Sequence, residues 1–366
     1  MIDLTNPPFT TGRLTTLPNN PSLDLNTGVG QRGATFRFQL TNGVTGEQLG
    51  DITPLRNASL SHDTSNTIKR RLTITLGLAD SELVDPVTAR IDPYMVTPDG
   101  TQWPLGRYLF TDASYQQFVN GNLSNLVLND EMFKIDQQIT SGLDASFGED
   151  QGVTSFIIKV LSGLDVQLVI ERSQFETTQS WTAGSNRGSL LEALALTGDY
   201  FSPWFGNDKK LHFIQAFDPI TQTPDFDYDR GNQVLQASVI HTSDILTAPN
   251  RFVVISNSSI NPDVAVFGQV DSPPNSPNSF AKRGFYIPLV KDLQVATTEQ
   301  AVAIAKNLAQ RLTIFERVQL VTPPDPRHDS YNVILWQDSL WLETAWTMAL
   351  VEGGSMTHSL RKGYTS

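Results

Sequence analysis

The sequence predicts a β-rich α+β protein: two β-rich regions of similar size, residues 34–137 and 247–366, flank a small α+β module. Three observations lead there. Apolar residues alternate with polar ones over short runs bounded by turn residues, which is strand patterning. Asn, Thr, Ser and Gln are abundant, and 25 glycines and 21 prolines punctuate the chain, as many turns require. Helical spacing of apolar residues appears in only a few places, most of them in the middle module.

Composition sets the bounds. A chain of 366 residues can hold two or three domains with real cores. At 39% hydrophobic and 17% charged it is too apolar for a disordered chain and too weakly charged for a coiled-coil rod. Cysteine is absent, which excludes disulfides and thiolate zinc sites. Met1 to Pro8 lacks the basic segment and apolar run of a signal peptide. Runs such as Phe156-Ile157-Ile158 are far too short to span a bilayer, so no membrane insertion is expected. The formal net charge of −12 does not attract nucleic acid. It serves solubility, or the wall of a passage that must not hold its cargo.

Residues 1–33 read as an extended arm, because Pro7, Pro8, Pro18, Pro21, Gly12, Gly28, Gly30 and Gly33 interrupt any period. Phe36, Phe38 and Leu40 then alternate as a strand, and Asn42-Gly43 offers a turn. Leu72, Ile74, Leu76 and Leu78 alternate again. Val96-Thr97-Pro98-Asp99-Gly100-Thr101 is a turn, and Pro104 to Phe110 and Leu123 to Met132 return as strands. Several short strands in about a hundred residues make a small barrel or a sandwich.

In the α+β module and its acidic connector, residues 138–246, Val153 to Ser162 reads as a helix. Its apolar face is Phe156, Ile157, Val160 and Leu161, and Gly163 stops it. Val166, Leu168 and Ile170 alternate as a strand. Ser189 to Glu192 fits a capping box for a helix ending at Gly198. Phe201 to Phe217 reads as a hairpin around Gly206-Asn207-Asp208, and Asp218 to Gly231 as a connector.

The last region, 247–366, has strands at Arg251 to Ser256 and Val264 to Val270 and a loop at Ser272 to Pro277. Thr297-Thr298-Glu299-Gln300 caps a helix over 298–315, whose stripe is Ala301, Ile304, Ala305, Leu308, Leu312 and Phe315. That helix is ~27 Å long, enough to cross one small barrel. Strands follow at Arg317 to Val321, Tyr331 to Leu335 and Leu340 to Met348.

Candidate sites are few. Gly28-Val29-Gly30-Gln31-Arg32-Gly33 matches a dinucleotide-binding pattern, but no strand precedes it and a strand, not a helix, follows. Asp225-Phe226-Asp227-Tyr228-Asp229 opens like a calcium loop, yet Arg230 and Gln236 stand where the glycine and the bidentate glutamate belong. An EF-hand is excluded, leaving a looser cation site or a solvated acidic strand. His62, His212, His241, His328 and His358 are dispersed, and no two stand at metal-ligand spacing. His241 and Asp244 are neighbours in sequence, but no nucleophile-elbow pattern accompanies them. The sequence therefore assigns no catalytic residue, metal ligand or cofactor. Trp336, Trp341 and Trp346 are core residues or aromatic anchors of an interface. The polar side of the 298–315 helix, with Gln300, Lys306, Gln310 and Arg311, is the candidate assembly surface.

Short motifs, in order, carry a resemblance. They are Phe36-Arg37-Phe38-Gln39-Leu40, Ile68-Lys69-Arg70-Arg71-Leu72 and Asp99-Gly100-Thr101 running into Pro104-Leu105-Gly106. Trp181-Thr182-Ala183-Gly184-Ser185 stands before the module's helix. Asn250-Arg251-Phe252, Ser276-Pro277, the 298–315 helix, Pro324-Asp325-Pro326-Arg327 and Gly353-Gly354-Ser355-Met356-Thr357 complete them. The chain resembles the tail hub proteins of tailed bacteriophages, especially minor tail proteins of siphophages that infect actinobacteria. The resemblance implies two tube-like β-barrel domains of few helices, 34–137 and 247–366, with the α+β module between them. It implies a homotrimer at the tail tip, whose six barrels abut the hexameric tail tube and surround the DNA exit channel. Partners would be a distal tail or tube protein above and tip or fibre proteins below, with DNA only as passing cargo. The protein would sit in the virion after synthesis in the host cytoplasm, and it would not be an enzyme. A receptor- or glycan-binding tail component and a cell-wall hydrolase are the alternatives.

Overall fold

The computed structural model describes residues 33–55, 58–77, 84–118, 121–140, 152–177, 184–229, 234–241, 248–257, 265–293, 295, 297–312 and 316–362. The arm, and with it all but Gly33 of the glycine-rich motif, lies outside the described residues.

The first region supplies β1 (Thr35–Asn42), β2 (Gln48–Ile52), β3 (Ala58–Asp63), β4 (Arg70–Gly77), β5 (Ala89–Val96), β6 (Gln102–Pro104), β7 (Tyr108–Phe118) and β8 (Gly121–Asp130). Alternation does what it promised: Leu72, Ile74 and Leu76 on β4 have no exposed surface. The β1–β2 turn closes as Asn42 Oδ1 accepts from the amides of Val44 and Thr45. Gly100, at φ +85°, takes the left-handed position of the turn after β5, and Asp99 accepts from Thr101 N there. The run from Pro104 to Phe110 is not one strand. It breaks after β6, and β7 begins at Tyr108.

The middle module holds α1 (Met132–Asp136), α2 (Val153–Leu161), β9 (Leu168–Ile170), α3 (Arg187–Thr197), β10 (Trp204–Phe205) and β11 (Leu211–Phe213). Phe156, Ile157, Val160 and Leu161 of α2 are buried against Leu190, Leu191 and Leu194 of α3 and against Phe213. The α3 cap differs from the capping box expected at Ser189. Asn186 caps it by accepting from Ser189 N, and the chain leaves the helix at Gly198. β9 pairs parallel with β11, so the expected strand and hairpin become one small sheet, β10-β11-β9.

The remainder comprises β12 (Phe226–Asp227), β13 (Gln236–His241), β14 (Arg251–Asn257), β15 (Ala265–Asp271), α4 (Phe280–Arg283), β16 (Pro288–Asp292), α5 (Thr298–Leu312), β17 (Glu316–Thr322), β18 (Val333–Trp336), β19 (Ser339–Leu350) and β20 (Met356–Lys362). These strands divide between two sheets. β15-β14-β16 stands alone, and α5 packs on it through Ala301, Ile304, Ala305 and Leu308 against Phe252, Val254 and Val266. Gly268 permits that approach, because a Cβ there would lie 2.3 Å from the Ala301 carbonyl carbon.

The other strands join the first region. Among the described residues fourteen strands form one sheet, with the main path β13-β17-β20-β19-β3-β4-β8-β7-β5-β1-β2. The junction is β19. Its first half pairs with β18; after a bulge between Glu343 and Ala345 its second half pairs with β3. Trp346, Met348 and Leu350 thereby enter the same core as Leu60, Leu72 and Met95. The fold is thus β-rich, built on a large antiparallel sheet with few helices, and the expected 298–315 helix lies beside the ladder of β17–β20 on a sheet of its own. Among the described residues no ladder joins β2 to β13, and no helix is long and apolar enough to cross a membrane.

Candidate functional site

Three features gather the chemistry: the seam where the middle module meets the large sheet, an adjoining cleft, and a buried histidine–carboxylate cluster at the root of β19 and β20.

The seam is ionic. Arg70 of β4 is buried, donates to Asn207 Oδ1 and Asp329 Oδ1, and lies over the Trp346 ring. Trp204 Nε1 also donates to Asp329, at 2.9 Å. Asp92 of β5 receives Arg107 through two bonds and Lys209 through a third, at 2.8–2.9 Å. Asp130, at the end of β8, accepts from the amides of Arg70 and Met132. Burial nevertheless pushes its carboxyl up to about 6.

The cleft, about 880 Å³, is lined by the 63–67 turn, α3, the C-terminal half of α5 and residues of β17 and β20. Lys69 and Ser202 meet Glu192 at this side of the module. Lys69 Nζ donates to Asn66 O, Glu192 Oε1 and Ser202 Oγ, while the Ser202 hydroxyl donates to Glu192. Burial lowers the Lys69 ammonium from its usual range, and Glu192 opposes that shift. All three ammonium protons have acceptors and the serine proton is committed to a carboxylate. The group is an ion-pair anchor, not an activated nucleophile.

Of the sequence-predicted surface, Gln300 is buried, and its Nε2 donates to the Glu176 and Thr197 carbonyls. It fastens α5 to the middle module, which corrects its place on an open polar face. Lys306 is exposed; Gln310 and Arg311 lie in α5, but their side chains are outside the described residues. Trp336, Trp341 and Trp346 are all buried. Trp341 Nε1 donates to the Trp336 carbonyl and Trp346 Nε1 to that of Asp329, so all three belong to the core.

The acidic run 225–229 is spent on backbone. Asp225 accepts from Val333 N, Asp227 from Asp229 N, and Asp229 from the amides of Gln337 and Asp338. These bonds hold the β18–β19 turn, where Gln337 and Asp338 both adopt positive φ. His241 lies on β13, and Asp244 is outside the described residues.

Spacing in the sequence conceals the histidine cluster, because the β18–β19 and β19–β20 turns separate its members. His328 Nδ1 lies 2.7 Å from Glu343 Oε2, and His358 Nδ1 lies 2.6 Å from Glu343 Oε1. All three side chains have no exposed surface. His328 Nε2 contacts the Tyr228 hydroxyl at 2.7 Å, and His358 Nε2 the Thr322 hydroxyl at 2.8 Å. Phe226 stacks on the His328 ring. Burial raises the Glu343 carboxyl, but His328 and His358 outweigh it and hold the group below its usual range. Burial and the neighbouring His328 keep His358 below the ordinary histidine range. The one advance sign of this cluster was that Glu343 falls within the strand read at Leu340 to Met348.

With this geometry, the chain is similar in fold to tail proteins of prophages. The 43 kDa tail protein of prophage MuSo2 from Shewanella oneidensis superposes with a TM-score of 0.59 at 12% identity, covering 89% of this chain and 98% of that one. A tail protein from Neisseria meningitidis gives 0.56 at 10% identity, covering 90% and 97%. Prophage tail protein gp18 from Listeria monocytogenes gives 0.56 at 11%, covering 90% and 95%. No protein-family description and no curated protein matches the sequence. At such identities the likeness is one of fold, and it runs through nearly the whole length of each tail protein.

Proposed function

We propose that this chain is a non-enzymatic structural protein of a phage tail, a hub at the tail tip. The observation that carries the reading is a tail-protein fold shared over 89% of this chain and 98% of its MuSo2 counterpart, rather than over one common domain. Three copies form a ring that joins the hexameric tube to tip proteins and surrounds the DNA path. The regions 34–137 and 247–366 act as paired tube-like β-barrel units in that ring, and the 138–246 module braces them. The arm, 1–33, reaches a neighbouring tail protein.

Two features support this reading. Among the described residues β2 and β13 are edge strands, and a neighbouring copy in a ring would cover such edges. The net charge of −12 suits a wall past which DNA slides without adhering. Lys306, with Gln310 and Arg311, is the part of the α5 surface proposed for assembly contacts.

Size-exclusion chromatography with light scattering is expected to show a species three times the 40.4 kDa chain, formed alone or on addition of the tube protein. An image of the assembled tail tip is expected to show three copies about the axis. A different copy number, or a tip without this chain, overturns the reading.

A further inference from the structure

We propose that His328, Glu343 and His358 form a buried structural site for one divalent metal ion of the zinc class, ligated by the two Nδ1 atoms and the carboxylate. Their candidate ligand atoms all lie within 4.8 Å of one another.

Hydrogen-bond accounting leads to the ion. Thr322 Oγ1 lies 2.9 Å from the Pro323 carbonyl, which can only accept, so the single hydroxyl proton points there. Toward His358 Nε2 the same oxygen must accept, and Nε2 carries the proton. His358 Nδ1 therefore presents its lone pair to the carboxylate of Glu343. His328 Nε2 lies 2.7 Å from the Tyr228 hydroxyl, which can give or take the proton between them, so His328 Nδ1 is open to either tautomer beside the other carboxylate oxygen.

A lone pair 2.6 Å from a carboxylate oxygen is repulsive unless a positive charge lies between them. A proton there would make a fully buried imidazolium whose ring centroid is 4.5 Å from that of His328. One divalent ion, with the Tyr228 oxygen accepting from His328 Nε2, satisfies both Nδ1 atoms and the carboxylate together. Each Nε2–H then donates outward to an oxygen, the arrangement that orients metal-bound imidazoles. Asp325 does not compete as a ligand, because Arg327 takes both its carboxylate oxygens. Metal–ligand distances of about 2.0–2.2 Å widen the two contacts by a few tenths of an ångström. The ion would fasten β19 to β20 and to the segment that carries His328 after β17.

The test uses the full chain without a histidine tag, produced in medium containing zinc. Elemental analysis is expected to find about one ion per chain. Refolding with zinc rather than with chelator should raise the unfolding temperature by more than about 5 °C. Glu343→Gln and His358→Asn should each reduce the metal to below about a tenth of an equivalent. Ser330→Ala, at a hydroxyl that bonds His62 instead, should keep it. A folded wild-type chain with less than about a tenth of an equivalent, and no difference between the two refolding conditions, overturns the proposal. In that case a proton shared with one imidazolium holds the cluster. Full metal content in folded Glu343→Gln and His358→Asn chains also overturns it, because the ion then lies elsewhere.

Discussion

The unit of β14, β15, β16 and α5 and the ladder around β19 both bury one face of a sheet, with opposite chemistry. In the first, Ala301, Ile304, Ala305 and Leu308 lie on Phe252, Val254 and Val266. Its other sheet face leaves Phe267 and Val290 about half exposed. In the second, Arg70, His62, Glu343, His328 and His358 are buried with the aromatic rings they contact. Apolar contacts tolerate any partner of suitable size, so the first unit needs only a pattern. Buried charges need named partners at hydrogen-bond distance, so the second region fixes one register and one docking of the middle module.

The sharpest way to break the apolar unit is Leu308→Asp. A charge at this buried position costs more than about 4 kcal/mol and should abolish soluble folded protein, checked by solubility and circular dichroism. Lys306→Glu, on the exposed side of the same helix, should change stability by less than about 0.5 kcal/mol. If the two variants behave alike, the helix faces are misassigned.

Trp346→Ala tests whether the two ends of the chain share one core. It should cost about 3–5 kcal/mol by chemical denaturation and leave a single cooperative transition. A cost below about 1 kcal/mol would mean that β19 and β3 unite two independent cores.

Asp130 sharpens the contrast through pH. Its folded-state carboxyl titrates at about 6, above the value of an unfolded aspartate. The native state therefore binds the extra proton between about pH 4 and 6. Stability from this group is complete below about 4 and is lost as pH rises through 6, by about 2–3 kcal/mol. Asp130→Asn should flatten the stability profile in that window. An unchanged slope would place the proton on another group.

The smallest effect is local. Asn186→Ala removes the α3 cap and should lower stability by about 1 kcal/mol, measured as a shift in denaturation midpoint. Ser189→Ala, at the position that the capping-box pattern favours, should change it by less than about 0.5 kcal/mol.

The sequence by itself determined many of the elements. Two-residue alternation placed β1 and β4, and a 3.6-residue stripe placed α2 and α5, because those periods are set by the backbone and need no distant partner. It also marked turn positions such as Gly100 and Gly163, where positive φ suits glycine. It did not say which sheet each strand joins. β19 pairs with β3 across nearly 300 positions of chain, and α5 settles on β14 and β15, through contacts that leave no periodic trace. The histidine cluster was hidden for the same reason: His328, Glu343 and His358 become neighbours only when β19 and β20 align. Local geometry is written residue by residue, whereas the pairing of distant strands and the burial of charge depend on surfaces that exist only once the chain has folded.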